Sequence, residues 1–189
     1  KIGIIDTGID ITHPMFIDDS LSAPSGFPKG ESNFSNSKVI VARNYISYLS
    51  RSQSVRTAID EVGHGTFVAG VAAGKQVSAP AAVISGMAPG AFLGSYKVFG
   101  TPGVNDSTTT AAVLAAVNDA VSDGMDVINL SLGAGQYSDG CNAQDANTML
   151  LGEAIGAVRR AGIVVVAASG NEGLTGAMTA PACISGVLS

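Results

Sequence analysis

The sequence predicts an α/β protein: a three-layer, doubly wound and mostly parallel sheet with helices on both faces. Three observations predict it. Short β-branched runs alternate with longer segments of helical period, glycine punctuates the joins, and the strand-like runs are too apolar for a sheet with one wet face. With 189 residues, 46% of them hydrophobic, the chain can fill one substantial core, so a single domain is expected.

The strand-like runs are Ile2 to Ile5, Val39 to Arg43, Phe92 to Val98, Val127 to Leu132 and Ile163 to Ala168. The second lies inside a polar stretch from Asp18 to Asp60, rich in Ser, Asn, Pro and Gly, which reads as surface loops around that one strand. Two helices separate the last three strands. One runs from Ser107 to Asp123 with Val113, Leu114, Val117 and Val121 on one stripe; the other runs from Ala146 to Ala161 with Leu150, Leu151, Ala154, Ile155 and Val158. Gly124 and Gly162 stop them, and Arg159 and Arg160 suit the negative end of the second helix dipole. A β-α-β-α-β order calls for right-handed crossovers and gathers ligands at the carboxyl ends of the strands.

No repeat, low-complexity tract or linker divides the chain. Its first residues already read as a strand, with no initiator Met, basic region or cleavage site before them, and its last, Gly186 to Ser189, read as the opening of another. Residues 1–189 are therefore expected to be the front and middle of one larger domain, whose sheet is incomplete at the C-terminal end. A net charge of −5, with 10 Lys and Arg of which only Arg159 and Arg160 are adjacent, offers no basic stripe, so neither nucleic acid nor an anionic membrane is an expected partner. No apolar run, Ile163 to Ala168 included, comes near the ~20 residues a membrane span needs.

Four segments carry chemistry. In Ile4-Ile5-Asp6-Thr7-Gly8 a carboxylate stands at the tip of a strand, where it would emerge at the sheet's carboxyl edge; the plainer reading is an Asp that caps the next turn. In Asp60-Glu-Val-Gly-His64-Gly-Thr a histidine precedes a helix whose small residues, Gly65, Ala69, Gly70, Ala73 and Gly74, permit close packing. It is either a structural histidine or one whose ring is oriented through one nitrogen by a carboxylate while the other meets substrate. The third and fourth, Val127 to Gly133 and Val164 to Gly173, are buried strands ending in small residues, where an extended peptide could add itself to a strand edge. Asn171, following the latter, is a turn residue or an amide able to donate to a developing oxyanion. No Gly-x-Gly-x-x-Gly follows a strand, which argues against a dinucleotide-binding domain.

Together these segments resemble the subtilisin-like serine proteases, the subtilases. Asp-Thr-Gly-Ile-Asp (6–10), His-Gly-Thr-x-Val-Ala-Gly (64–70), Gly-Met-Ala-Pro-Gly (86–90), Asn-Leu-Ser-Leu-Gly (129–133) and Ala-Ser-Gly-Asn-Glu-Gly (168–173) stand in the family's order and cover essentially the whole chain. Asp before His is also subtilisin's order. The resemblance implies a serine endopeptidase in which Asp6 orients the imidazole, His64 is general base and then acid, and Asn171 supplies the oxyanion-hole amide. It further implies that Ser131, Leu132 and Gly133, with Ala168, Ser169 and Gly170, wall the pocket for the residue before the scissile bond. Lys97, Val98, Phe99 and Gly100 would edge the neighbouring subsites. Walls this small suit a sizeable apolar side chain.

The family's nucleophile lies in a Gly-Thr-Ser-Met-Ala segment downstream of the oxyanion Asn, and no serine here has that context; Ser131 and Ser169 sit at pocket walls. These residues alone are therefore expected not to hydrolyse peptides. The competing class is a protease-like module that has lost its nucleophile and only binds peptides. Extended peptide or protein substrates and the enzyme's own propeptide are the implied partners, and no cofactor is required. Structural calcium belongs to the family, but its usual first site is expected to be absent: Met15 follows His13-Pro14 where a ligating Asp often stands, and Lys75 to Ser85 lacks the polar residues of the matching loop. Phe67 stands where many members carry a second His, with no expected loss of chemistry, and His13 reads as structural. Cys141 and Cys183 are expected to form a disulfide, as in some secreted members, and so to imply a secreted or cell-envelope setting. The alternative is two free, buried thiols.

Overall fold

The computed structural model describes residues 1–49 and 55–189, so positions 50–54 of the expected loop region lie outside the described residues. The elements follow as β1 (Ile2–Asp6), β2 (Lys29–Gly30), β3 (Val39–Asn44), α1 (His64–Ala73), β4 (Val77–Ser78), β5 (Val83–Ile84), β6 (Leu93–Lys97), α2 (Thr110–Ser122), β7 (Val127–Leu130), β8 (Ala134–Tyr137), α3 (Ala146–Arg160), β9 (Val164–Ala167) and β10 (Met178–Ala180).

Six strands form one sheet in the order β2-β3-β6-β1-β7-β9, every neighbouring pair parallel. β1 is central: the chain winds out to β3, returns to β6 beside β1, then crosses to β7 and β9 on the other side. This is the expected doubly wound α/β sheet. β2 is one strand more than the polar stretch suggested, drawn into the sheet by two residues of register with Val41 and Ala42.

The two faces are packed differently. α2 and α3 cover one, burying Ala112, Val113, Val117, Leu151, Ile155 and Val158 against Ile5, Ile40, Tyr96, Ile128 and Val165. α1 covers the other, with Ala69 and Ala73 against Ile4, Val39 and Leu93. Only β1, β3 and β6 are buried on both faces. Along β7 and β9 burial alternates, and Val164 is 43% exposed, because among the described residues no helix packs on that side of these two strands. The expectation that both faces are covered is corrected there.

Helix boundaries follow their caps. α2 begins at Thr110 rather than Ser107 because the Thr109 hydroxyl accepts from Ala112 N at 3.1 Å, leaving Ser107 and Thr108 outside. α3 opens on a reciprocal box in which Asp145 accepts from Thr148 N and the Thr148 hydroxyl accepts from Asp145 N. Gly124 and Gly162 take the positive φ that stops both helices. At the chain's end Leu188 pairs in parallel with Val166, so the last residues do extend the sheet beside β9.

Candidate active site

Asp6 closes β1 at the carboxyl edge and is almost fully buried; Thr7 N donates to its Oδ1 at 2.7 Å. His64 is the first residue of α1, entered through Gly63 at φ +90°. Its Nδ1 lies 2.8 Å from Asp6 Oδ1, and its side chain is 49% exposed against 1% for Asp6. A carboxylate only accepts, so Nδ1 carries the proton of this bond and Nε2 is left as the acceptor nitrogen of a half-exposed ring. Burial pushes the Asp6 carboxyl up, and the hydrogen bonds from His64 and Thr7 offset that in part. Its second oxygen, Oδ2, is buried without a hydrogen-bond partner among the described residues.

What brings strand tip and helix start together is Asp60. Its Oδ1 accepts from Thr7 Oγ1, Val62 N and Gly63 N at 2.9 to 3.0 Å, and its Oδ2 accepts from Thr66 N at 3.0 Å and Thr66 Oγ1 at 2.5 Å. The N-cap residue, Gly63, has no side chain to satisfy the first turn of α1, and Asp60 does so from three residues upstream. Burial raises the Asp60 carboxyl, but these hydrogen bonds outweigh it and hold the group below its ordinary value. Thr7 Oγ1 in turn accepts from Gly65 N, which puts α1 directly on the turn after Asp6. No side chain fits at Gly65, where a Cβ would collide with the Gly8 carbonyl. Sequence reading passed over Asp60, Thr7 and Thr66; an acid just upstream of a helix start was the available signal.

Asn171 lies past the end of β9, two strands from β1 and hence roughly 10 Å across the same edge. It is exposed, and its backbone N–H donates to Glu172 Oε2. The two expected pocket walls are joined through β10: the Thr179 hydroxyl donates to Ala168 O, Thr179 N donates to Ser169 O, and Gly133 has room for no side chain against Thr179. A cavity of about 530 Å³ gathers Phe99, Leu132 and Gly133 with Val113 and Leu151, and a second of about 140 Å³ gathers Ser169 and Gly170 with Glu172. Of the residues expected to edge the neighbouring subsites, Lys97 and Val98 have buried side chains and Gly100 N donates to Asn105 O at 3.1 Å. The Lys97 ammonium donates to Ile59 O at 2.6 Å and Glu61 Oε2 at 2.9 Å.

Cys141 and Cys183 are joined as a disulfide, Cα atoms 5.3 Å apart, tying the loop before α3 to the segment after β10. Met15 packs in the core under α1, next to Gly70 and Gly74, and the following hairpin of β4 and β5 presents Val83 and Ile84, a lining that does not fit a hard cation. No helix among the described residues is long and apolar enough to cross a membrane.

A parallel sheet with a buried aspartate and a half-exposed histidine paired at its carboxyl edge is the architecture of a known class of protease. The solved structure of a lanthipeptide protease superposes on 98% of this chain and 46% of its own with a TM-score of 0.64 at 21% identity, a likeness of fold. The Subtilase family model matches residues 1–189, and the chain belongs to that family. It is similar to Subtilisin-like protease SBT1.4 of Arabidopsis thaliana (35% identity over 91% of this chain and 24% of the relative). It is likewise similar to the CO(2)-response secreted protease of the same plant (35% identity, 93% of this chain and 23% of the relative). The chain thus spans about a quarter of the length of these curated relatives.

Proposed function

We propose that the protein containing these residues is a serine endopeptidase, with Asp6 as orienting carboxylate, His64 as general base and acid, and Asn171 as oxyanion-hole donor. The observation that carries this is the 2.8 Å bond from His64 Nδ1 to a buried Asp6, which leaves Nε2 on an exposed ring at the strand edge. A base in that state takes a proton from a hydroxyl nucleophile, and the buried carboxylate stabilises the imidazolium that results. The nucleophile is a serine outside these 189 residues, so this stretch by itself does not turn over peptides. The substrate is an extended peptide lying along the strand ends, with an apolar side chain received by the cavity of about 530 Å³ beside Phe99 and Leu132. The propeptide of the same protein fits the same groove. The disulfide supports a secreted or cell-envelope location, and activity requires no calcium at the position of Met15.

The test is hydrolysis of a chromogenic peptide by the full-length protein together with covalent capture by a serine-directed phosphonate. Asn171→Ala is expected to lower kcat by about 10²–10³-fold, the loss known for removing such an amide from subtilisin itself. A full-length protein that binds peptides but neither turns them over nor reacts with the phosphonate is the binding module instead.

A further inference from the structure

We propose that Lys97 is a positioning residue for the Asp6–His64 pair, acting through the segment that leads into α1; this rests on the protease reading above. Lys97 pairs in register with Asp6 across β6 and β1, and opposed residues of parallel strands project to the same face, here the one covered by α1. Its backbone belongs to the rigid centre of the sheet, with Val98 N donating to Asp6 O and Tyr45 N to Lys97 O, both at 2.9 Å. The side chain is 1% exposed. Its ammonium donates to Ile59 O and Glu61 Oε2. Both Glu61 oxygens also accept from Thr101 Oγ1, at 3.1 and 3.2 Å, on the loop after β6.

The consequence is a clamp with two jaws. Residues 59 and 61 are held by Lys97, while Asp60 between them is held by Thr7, Gly63 and Thr66. Four residues after Asp60 comes His64, whose ring must meet Asp6. Burying an ammonium is unfavourable unless it is paired and hydrogen-bonded, and a methionine would fill this volume without that cost. The protein accepts the cost where the chain is only a few residues from its catalytic base. Displacing a reacting group by about 1 Å costs about 100-fold in rate, so the reference frame for His64 matters more than the bond energy of the clamp. Lys97 ties that frame to the same pair of strands that carries Asp6.

The experiment uses the full-length protein and the variants Lys97→Met, Lys97→Arg and Glu61→Gln. Wild-type turnover of a peptide substrate tests the protease reading by itself. Amide hydrogen exchange over residues 59–66 tests the clamp whether or not there is turnover. Expected are a kcat lowered about 10- to 100-fold in Lys97→Met with KM within about twofold, substantial recovery in Lys97→Arg, and a loss of about three- to tenfold in Glu61→Gln. Exchange over 59–66 should quicken in Lys97→Met and Glu61→Gln while α2 and α3 keep their protection. The proposal is overturned by unchanged kcat in both, by a change confined to KM, or by protection lost evenly across the fold. If Lys97→Met fails to fold, Glu61→Gln, which keeps the ammonium and the shape, decides by the same criteria.

Discussion

Two buried aspartates, Asp6 and Asp123, are equally hidden from solvent, 1% and 4% exposed, and the fold treats them in opposite ways. Asp123 ends α2 just ahead of β7, away from the carboxyl edge. Both its oxygens are partnered: Arg43 donates to each, at 2.8 and 2.9 Å, Tyr96 Oη donates at 3.0 Å, and the Lys29 ammonium stands 3.6 Å away. Burial raises its carboxyl, yet the Arg43 guanidinium and the other partners hold it below its ordinary value. Asp6 has a half-exposed histidine and one backbone N–H, an orphaned oxygen, and a carboxyl pushed up by burial. Where the carboxylate serves stability both oxygens are hydrogen-bonded. Beside the histidine one oxygen has no partner among the described residues and the charge is held at a cost.

The comparison breaks most sharply at Asp6→Asn. In the full-length enzyme this change should lower kcat by about 10⁴-fold, because the amide stabilises neither the right tautomer nor the imidazolium. Denaturant unfolding at pH 7 should show equal or greater stability, and a large loss there would place Asp6 with Asp123. Arg43→Met reverses the pattern, costing about 3 kcal/mol in denaturant unfolding by leaving Asp123 short of its main partner, with kcat unchanged. Asp60→Ala falls between them. It removes a helix cap and should cost about 1–2 kcal/mol, while kcat drops and KM holds because His64 loses its footing.

The smallest effect is on pH dependence, and it differs in sign between the two sites. Asp123 and Asp60 have lowered folded values, so each contributes stability that is present above the ordinary 3.8 and lost as pH falls through its folded value. Asp6 is raised, so its contribution is present below 3.8 and lost as pH rises through its folded value. Unfolding free energies measured from pH 7 downward should therefore fall less steeply in Asp123→Asn than in the wild type, and more steeply in Asp6→Asn.

Much of this was legible in the chain. The alternation of apolar runs and helical stripes pointed to a parallel α/β sheet, since successive strands joined through helices run in the same direction. The glycines at 124 and 162 and the arginines at 159 and 160 fixed the helix ends, because those are local effects of dihedral freedom and dipole. The segments around Asp6, His64 and Asn171 marked the site through family resemblance. The tertiary structure alone decided the rest. Nothing local tells that the Lys97 side chain is buried on Ile59 and Glu61, for that depends on β6 lying beside β1 and on a loop 36 residues upstream. Nor does the sequence tell that Asp60 gathers Thr7 and α1, or that both oxygens of Asp123 are hydrogen-bonded while one oxygen of Asp6 has no partner among the described residues. Hydrogen-bond satisfaction and burial are set by partners distant in sequence, and only packing brings them together.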